Sequence, residues 1–163
     1  MYMDCYNFNG KLSEGEQHEA DLDRYYSQWF DIQSVSMNAQ RSGIDRVWTR
    51  KSTNVSYSME YKSDTKAAST GNAFIETVSV DAAGKPGWAY TSCAQLLAYY
   101  VPPLNRVYHL TMMAIKNNVD KWAKMYPPGK AKNDGYYTHG VLVPLSEFQK
   151  HAYRIIEINT RHP

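Results

Sequence analysis

The sequence holds little that points to export, to a membrane or to covalent cross-linking. Its two cysteines, Cys5 and Cys93, stand far apart with no Cys-x-x-Cys pair and no Cys/His ligand spacing. That usage suggests neither a disulfide framework nor a zinc knuckle and fits a reducing compartment. Nowhere do the roughly 18 consecutive apolar residues of a membrane-spanning helix occur, and the first residues, with Asp4 and Asn7, lack the charged and then apolar pattern of a secretory leader. A soluble, cytoplasmic chain with no membrane partner is expected. A glycine-rich phosphate loop is also missing, so nucleotide-driven chemistry is not suggested. Five histidines, His18, His109, His139, His151 and His162, show no paired ligand spacing, and no Ser/His/Asp arrangement follows from chain order. Charge of one sign is lacking too: the net charge is +2, so any basic surface must be local.

What is present is ordinary globular material with an aromatic excess. The 163 residues suit a single domain, 1–163, with 43% hydrophobic and 21% charged residues. The 14 Tyr and 4 Trp serve cores and polymer-binding surfaces equally well. From Ser13 to Phe30, Leu22, Tyr25, Tyr26, Trp29 and Phe30 recur at helical spacing, and Ser13 with Glu16 has the form of a capping box. Segments rich in Val, Ile, Thr, Tyr and Trp then read as strands: Ile32 to Met37, Asp45 to Arg50, Val55 to Lys62 and Ala73 to Val80, separated by turn formers. A second helix is expected from about Ser92 to Tyr100, stopped by Pro102-Pro103, then a strand from Arg106 to Thr111 and a helix from Met112 to Tyr126. Beyond Lys130 the signals are weaker, with Val141-Leu142-Val143 as a strand and Ser146 as a cap. The order predicts an α/β or α+β core, with helices on two faces of a mixed sheet.

Chemistry concentrates on one predicted strand. Alternation from Val55 to Lys62 places Glu60 and Lys62 on the same face. A carboxylate beside an ammonium suits phosphate chemistry: the first holds a divalent cation, and the second orients or deprotonates a water and balances charge. Asp45 lies fifteen residues before Glu60, so a hairpin brings it alongside. Two carboxylates and the backbone carbonyl of Tyr61 then make an open site for a hard cation such as Mg²⁺ or Mn²⁺. An acidic-x-Lys triplet arises by chance about once in such a chain. Asp64-Thr65-Lys66 is a second one, and reads as a solvated loop.

On these residues the chain resembles the PD-(D/E)xK nuclease superfamily, over roughly Ser13 to Thr111. Gly43-Ile44-Asp45 is similar to the first signature, with Ile44 in place of the common proline, and Met59-Glu60-Tyr61-Lys62 matches the second. The resemblance implies a restriction-endonuclease-like core, a central mixed β-sheet flanked by helices in αβββαβ order, within about 13–126, followed by a C-terminal extension over 127–163. It implies a further acid on the first helix, for which the helical wheel favours Glu19, with an ordinary surface acid as the alternative. Gln95-Leu96-Leu97-Ala98-Tyr99 looks like the QxxxY motif of the RecB-like branch, whose spacing on a helix would turn Gln95 and Tyr99 toward a phosphate or base; a Gln and a Tyr on a half-buried helix is the bland reading. Thr70 to Glu76 and Pro86 to Ser92 are reminiscent of phage-type members. Glu76 is expected on the exposed face of its strand, with a ligand role the alternative.

The expected activity is therefore hydrolysis of DNA phosphodiester bonds by a Mg²⁺- or Mn²⁺-dependent endonuclease, phage-derived or from a mobile element and acting in the host cytoplasm. Asp45, Glu60, Lys62, Glu19, Gln95 and Tyr99 are its candidate residues, and Asp45, Glu60, Glu19 and the Tyr61 carbonyl its candidate ligands. Cutting both strands implies a homodimer or higher assembly. An exonuclease of the RecB or lambda type and a catalytically silent nucleic-acid-binding module are the alternatives. Basic residues lie at Arg41, Arg46, Arg50 and Lys51, and again at Lys116, Lys121, Lys124, Lys130 and Lys132; the second group reads as a solvated face unless it adjoins the site. Trp88 and Tyr90 could stack on bases or cover the sheet.

Overall fold

The computed structural model describes residues 8–159, and side chains from residue 14 onward. In chain order the elements are α1 (Phe8–Tyr26), β1 (Phe30–Ser34), α2 (Met37–Arg41), β2 (Arg46–Arg50), β3 (Ser56–Ser63), α3 (Ala67–Thr70), β4 (Asn72–Val80), β5 (Lys85–Pro86), α4 (Trp88–Thr91), β6 (Leu96–Val101), β7 (Arg106–Thr111), α5 (Met112–Met125), β8 (Pro128–Lys132), β9 (Tyr137–Pro144), α6 (Leu145–Phe148) and β10 (Arg154–Glu157). They form two sheets. The first runs β1-β2-β3-β6-β7-β10 and the second β5-β4-β9-β8. All pairs are antiparallel except β3 with β6, which lie parallel with Glu60 opposite Leu97 and Lys62 opposite Tyr99. The architecture is thus mixed α/β, a central mixed sheet flanked by helices.

Opposite faces of the first sheet carry different cores. On one, Leu22 and Tyr26 of α1 pack against Trp48, Met59, Tyr61, Ala98, Tyr100 and Val107. On the other, Leu97, Tyr99, Val101, Tyr108 and Leu110 meet α5, β4 and β9 through Ile115, Val119, Trp122, Ile75 and Val143. The spacing of Met112, Ile115, Val119 and Trp122 that predicts α5 is also what buries it. Thr111 caps its start, its hydroxyl accepting from the Ala114 N–H at 3.1 Å, and Pro127-Pro128 stops it.

Three expectations are corrected. The segment 92–100 is not a helix: Leu96–Val101 is a central strand, and a strand buried on both faces is apolar throughout, so its pattern cannot be told from that of a buried helix. The first helix begins at Phe8 and ends at Tyr26, so Ser13 lies inside it rather than at its cap, and Phe30 opens a strand. The strand expected over Ile32 to Met37 runs from Phe30 to Ser34, and Met37 opens the short helix α2 instead; the crossover from β3 to the parallel strand β6 is made by α3, β4, β5 and α4. The chain beyond 126 supplies β8 and β9 of the second sheet and, through β10 paired with β7, one edge of the first.

Candidate active site

Asp45 stands one residue before β2, where the β2–β3 ladder stops. Its N–H donates to the Met59 carbonyl at 2.8 Å, which continues the register set by Arg46 opposite Met59 and puts Asp45 beside Glu60. With β2 not yet begun, the Tyr61 N–H has no strand partner on that side. Asp45 Oδ2 accepts from it at 2.7 Å. Since the N–H and C=O of one strand residue project to the same side, the Tyr61 carbonyl faces the same gap.

Glu60 and Lys62 leave β3 on the face away from α1. Glu60 is 2% exposed, and Lys62 Nζ donates to its Oε1 at 2.8 Å. Oε2 is buried without a hydrogen-bond partner. A buried carboxylate oxygen normally has at least one hydrogen-bond partner, and leaving such an acceptor unsatisfied costs roughly 1–3 kcal/mol. Burial pushes the Glu60 carboxyl above the ordinary range, opposed by the Lys62 ammonium and the Ser92 hydroxyl and reinforced by nearby Asp45. For Lys62, burial disfavours the charge, but Glu60, Asp45 and Glu76 outweigh it and hold the ammonium above its usual value. Lys62 Nζ also lies 5.7 Å from the centre of the Trp88 ring.

The wall of the site is built by residues from segments distant in the sequence. Ser92 is buried, and its hydroxyl donates to the Gly43 carbonyl at 3.1 Å. Gly43 has φ of +83°, and a Cβ there would lie 2.7 Å from Ser92 Oγ, so glycine is required both by conformation and by close approach. Lys116 of α5 reaches the Ser92 carbonyl at 2.7 Å, which brings one member of the second basic group to the site. Glu76 approaches Lys62 from the second sheet and accepts from the Trp88 N–H at 3.2 Å. Neither Ser92 nor Glu76 carried a distinctive spacing; only the glycine two residues before Asp45 hinted at a tight approach.

Glu19 is placed differently. On the α1 side of the sheet, Arg46 donates to Glu19 Oε2 and to Asp23 Oδ2, each at 3.0 Å. Asp23 also accepts from the Tyr61 hydroxyl at 2.9 Å. Burial raises the Glu19 carboxyl while Arg46 lowers it and Asp45 raises it further. Glu19 is therefore a counter-charge of Arg46 on the α1 side of the sheet, close enough to Asp45 to feel its charge, whereas Glu60 leaves β3 on the other face. Among the described residues no group of three or more His, Cys, Asp or Glu side chains is arranged to hold a metal ion; the cluster offers two carboxylates and a main-chain carbonyl.

Gln95 and Tyr99 do not share a helix face, because the helix is absent. Gln95 Oε1 accepts from the Ser58 N–H at 2.9 Å. Tyr99 is 1% exposed; its hydroxyl donates to Asp64 and accepts from the Phe74 N–H at 3.0 Å. Both groups are tied within the fold. Asp64, expected in a solvated loop, thus stitches β3 to β4. Trp88 is buried and Tyr90, in a short helix rather than a turn, donates to Asp120 at 2.7 Å. No described helix is long and apolar enough to cross a membrane. Searches of the chain against family models, curated proteins and solved structures return no match.

Proposed function

We propose that this protein is a divalent-metal-dependent nuclease of the PD-(D/E)xK type, hydrolysing DNA phosphodiester bonds. The observation that carries the reading is the buried Glu60 carboxylate, with Lys62 on one oxygen, no hydrogen bond formed to the other and the Ser92 hydroxyl close by, beside Asp45 at an interrupted ladder. The donors are all hard oxygens, and Mg²⁺ or Mn²⁺ commonly takes one or two carboxylates and keeps several waters. Asp45, Glu60 and the Tyr61 carbonyl would hold the ion. When bound, it polarises a phosphoryl oxygen and makes water more acidic.

The chain's own contribution is positional and electrostatic. The Tyr61 N–H fixes the Asp45 carboxylate, and the Arg46 contacts to Glu19 and Asp23 clamp the strand end on which Asp45 sits. Lys62, one third exposed, can turn from Glu60 toward a phosphate, balancing negative charge and orienting the water that attacks in line. Lys116 adds a positive charge at the rim through its contact with Ser92. A parallel strand beside the one bearing Glu60 and Lys62, with an antiparallel hairpin before it, also supports the assignment. The endonuclease reading is preferred to the exonuclease one, whose support lay in a helical QxxxY motif.

Incubation of supercoiled plasmid with Mg²⁺, Mn²⁺ or EDTA tests the proposal. Nicking is expected with either metal and not with EDTA, and Lys62→Ala is expected to slow it by about 10²–10⁴-fold, the usual contribution of a positioned proton-transfer group. DNA binding without metal-dependent nicking would identify a silent binding module instead. Progressive shortening of linear DNA from its ends would favour the exonuclease.

A further inference from the structure

A second concave site lies on the other face of the first sheet, beyond the C-terminal end of α1. It is an open trough of about 240 Å³. Trp48, Tyr57 and Tyr153 are among the rings that line it, and Arg50 and Arg154 contribute its charge. Strand alternation separates it from the candidate active site. Tyr57 projects to the α1 side while Glu60 and Lys62 project to the other, and the trough sits at the start of β3 whereas those two residues sit toward its end.

Two features set its chemistry. No acidic residue lines it, and among the described residues neither Arg50 nor Arg154 has a carboxylate partner. Arg50 instead lies over the Phe30 ring, 5.0 Å from its centre, and Arg154 makes no ion pair with any described residue, while Glu157 at the far end of the same strand pairs with Arg106. Unopposed guanidinium groups at a cleft favour an anion, and their planar fork matches phosphate in particular. The remaining surface is mostly aromatic, with Leu96 and Ile156 beside the rings: Tyr153 is 55% exposed, and His109, whose ring packs against it, stays neutral because burial and the Arg154 charge depress its basicity. The volume is below the roughly 300–1,000 Å³ of ordinary small-molecule clefts, so one ring system with its attached phosphate fits better than a whole cofactor.

We propose that this trough binds one nucleotide unit of a single-stranded DNA segment, its base stacked on the exposed Tyr153 ring and the half-buried Tyr57 ring and its phosphate held by Arg50 and Arg154. Aromatic stacking beside a basic backbone contact is how single strands are held without regard to sequence. The trough itself stands apart from the hydrolytic reading; only the choice of DNA over RNA rests on it. Binding measured in EDTA therefore fails or succeeds separately from cleavage.

The test is fluorescence anisotropy of a labelled oligothymidylate of about twelve nucleotides, within the ~4–16 bound by compact single-strand modules, with the full chain in EDTA. Tyr153→Ala is expected to weaken binding roughly five- to a hundredfold, the usual effect of removing one stacked ring, and Tyr153→Phe to retain it. Arg50→Ala and Arg154→Ala should each lower the slope of log affinity against log salt by about 0.7. Met125→Ala, at an exposed position at the end of α5 that lines neither site, should bind as the wild type does. Circular dichroism and thermal melting confirm that each variant is folded, as the exposure of Tyr153 and Arg154 leads one to expect. Absence of binding, or wild-type affinity in the Tyr153→Ala/Arg154→Ala double variant, overturns the proposal. Thymidine monophosphate competing mole for mole would also overturn it in favour of a free-nucleotide site, and tighter binding of oligouridylate would overturn the choice of DNA.

Discussion

Replacing His109 by glutamine should remove most of one acid-sensitive step in the stability of this protein. His109 is 3% exposed on β7, and its Nε2 shares a hydrogen bond with the hydroxyl of Tyr26 on α1. Burial, helped by the positive charge of Arg154, lowers its pKa from 6.5 to about 4. Because the folded value lies below the unfolded one, the neutral ring contributes stability that is whole above pH 6.5 and is lost as the pH falls toward 4. At about 1.4 kcal/mol for each tenfold change in proton affinity, the loss is roughly 3 kcal/mol, a large part of the 5–15 kcal/mol that usually stabilises a domain. Glutamine keeps an acceptor near the Tyr26 hydroxyl but does not titrate. Urea unfolding followed by tryptophan fluorescence, from about pH 7.5 to about pH 4, should show the wild type losing about 3 kcal/mol more than His109→Gln. Parallel stability profiles for the two proteins across that range would refute the reasoning.

Other substitutions test the packing and the site. Gly43→Ala combines a φ of +83° with a contact of 2.7 Å to Ser92; a loss of about 1–3 kcal/mol in thermal or urea melts is expected, together with reduced nicking because the Ser92 wall moves beside Glu60. Trp122→Ala empties a fully buried position between α5 and α6 and should cost about 3–5 kcal/mol by urea titration. Thr111→Ala removes the hydroxyl that caps α5 and should cost about 1 kcal/mol. Asp45→Asn and Glu60→Gln should each abolish metal-dependent nicking, and titration calorimetry with Mn²⁺ should show weakened binding in both; metal affinity equal to the wild type would remove them from the ligand set.

Several parts of this fold were legible as pattern. The 3.6-residue recurrence of Met112, Ile115, Val119 and Trp122 foretold α5, and the alternation along β3 correctly separated Tyr57, Met59 and Tyr61 from Ser58, Glu60 and Lys62. Residue spacing also foretold the antiparallel neighbour that carries Asp45 to Glu60. These are local regularities, written in the residues of one element or of two elements joined by a short turn.

The remaining features depended on contacts between distant segments. Leu96 to Val101 could have been a buried helix or a central strand, and only its pairing with β3 and β7 decided the matter, taking Gln95 and Tyr99 out of any helical motif. Glu19 carried the spacing of a residue facing the sheet, yet its pairing with Arg46, a cation on β2, was announced by no sequence period. Ser92, Lys116 and Glu76 came to the site from three separate elements without sharing any sequence period. By itself, then, the sequence determined which residues of a strand face the same way and where helices can bury an apolar stripe, because both follow from the geometry of a single element. Which acid meets which cation, and which loop closes on Glu60, were decided by tertiary structure alone, since Coulomb attraction and close packing act through space and not along the chain.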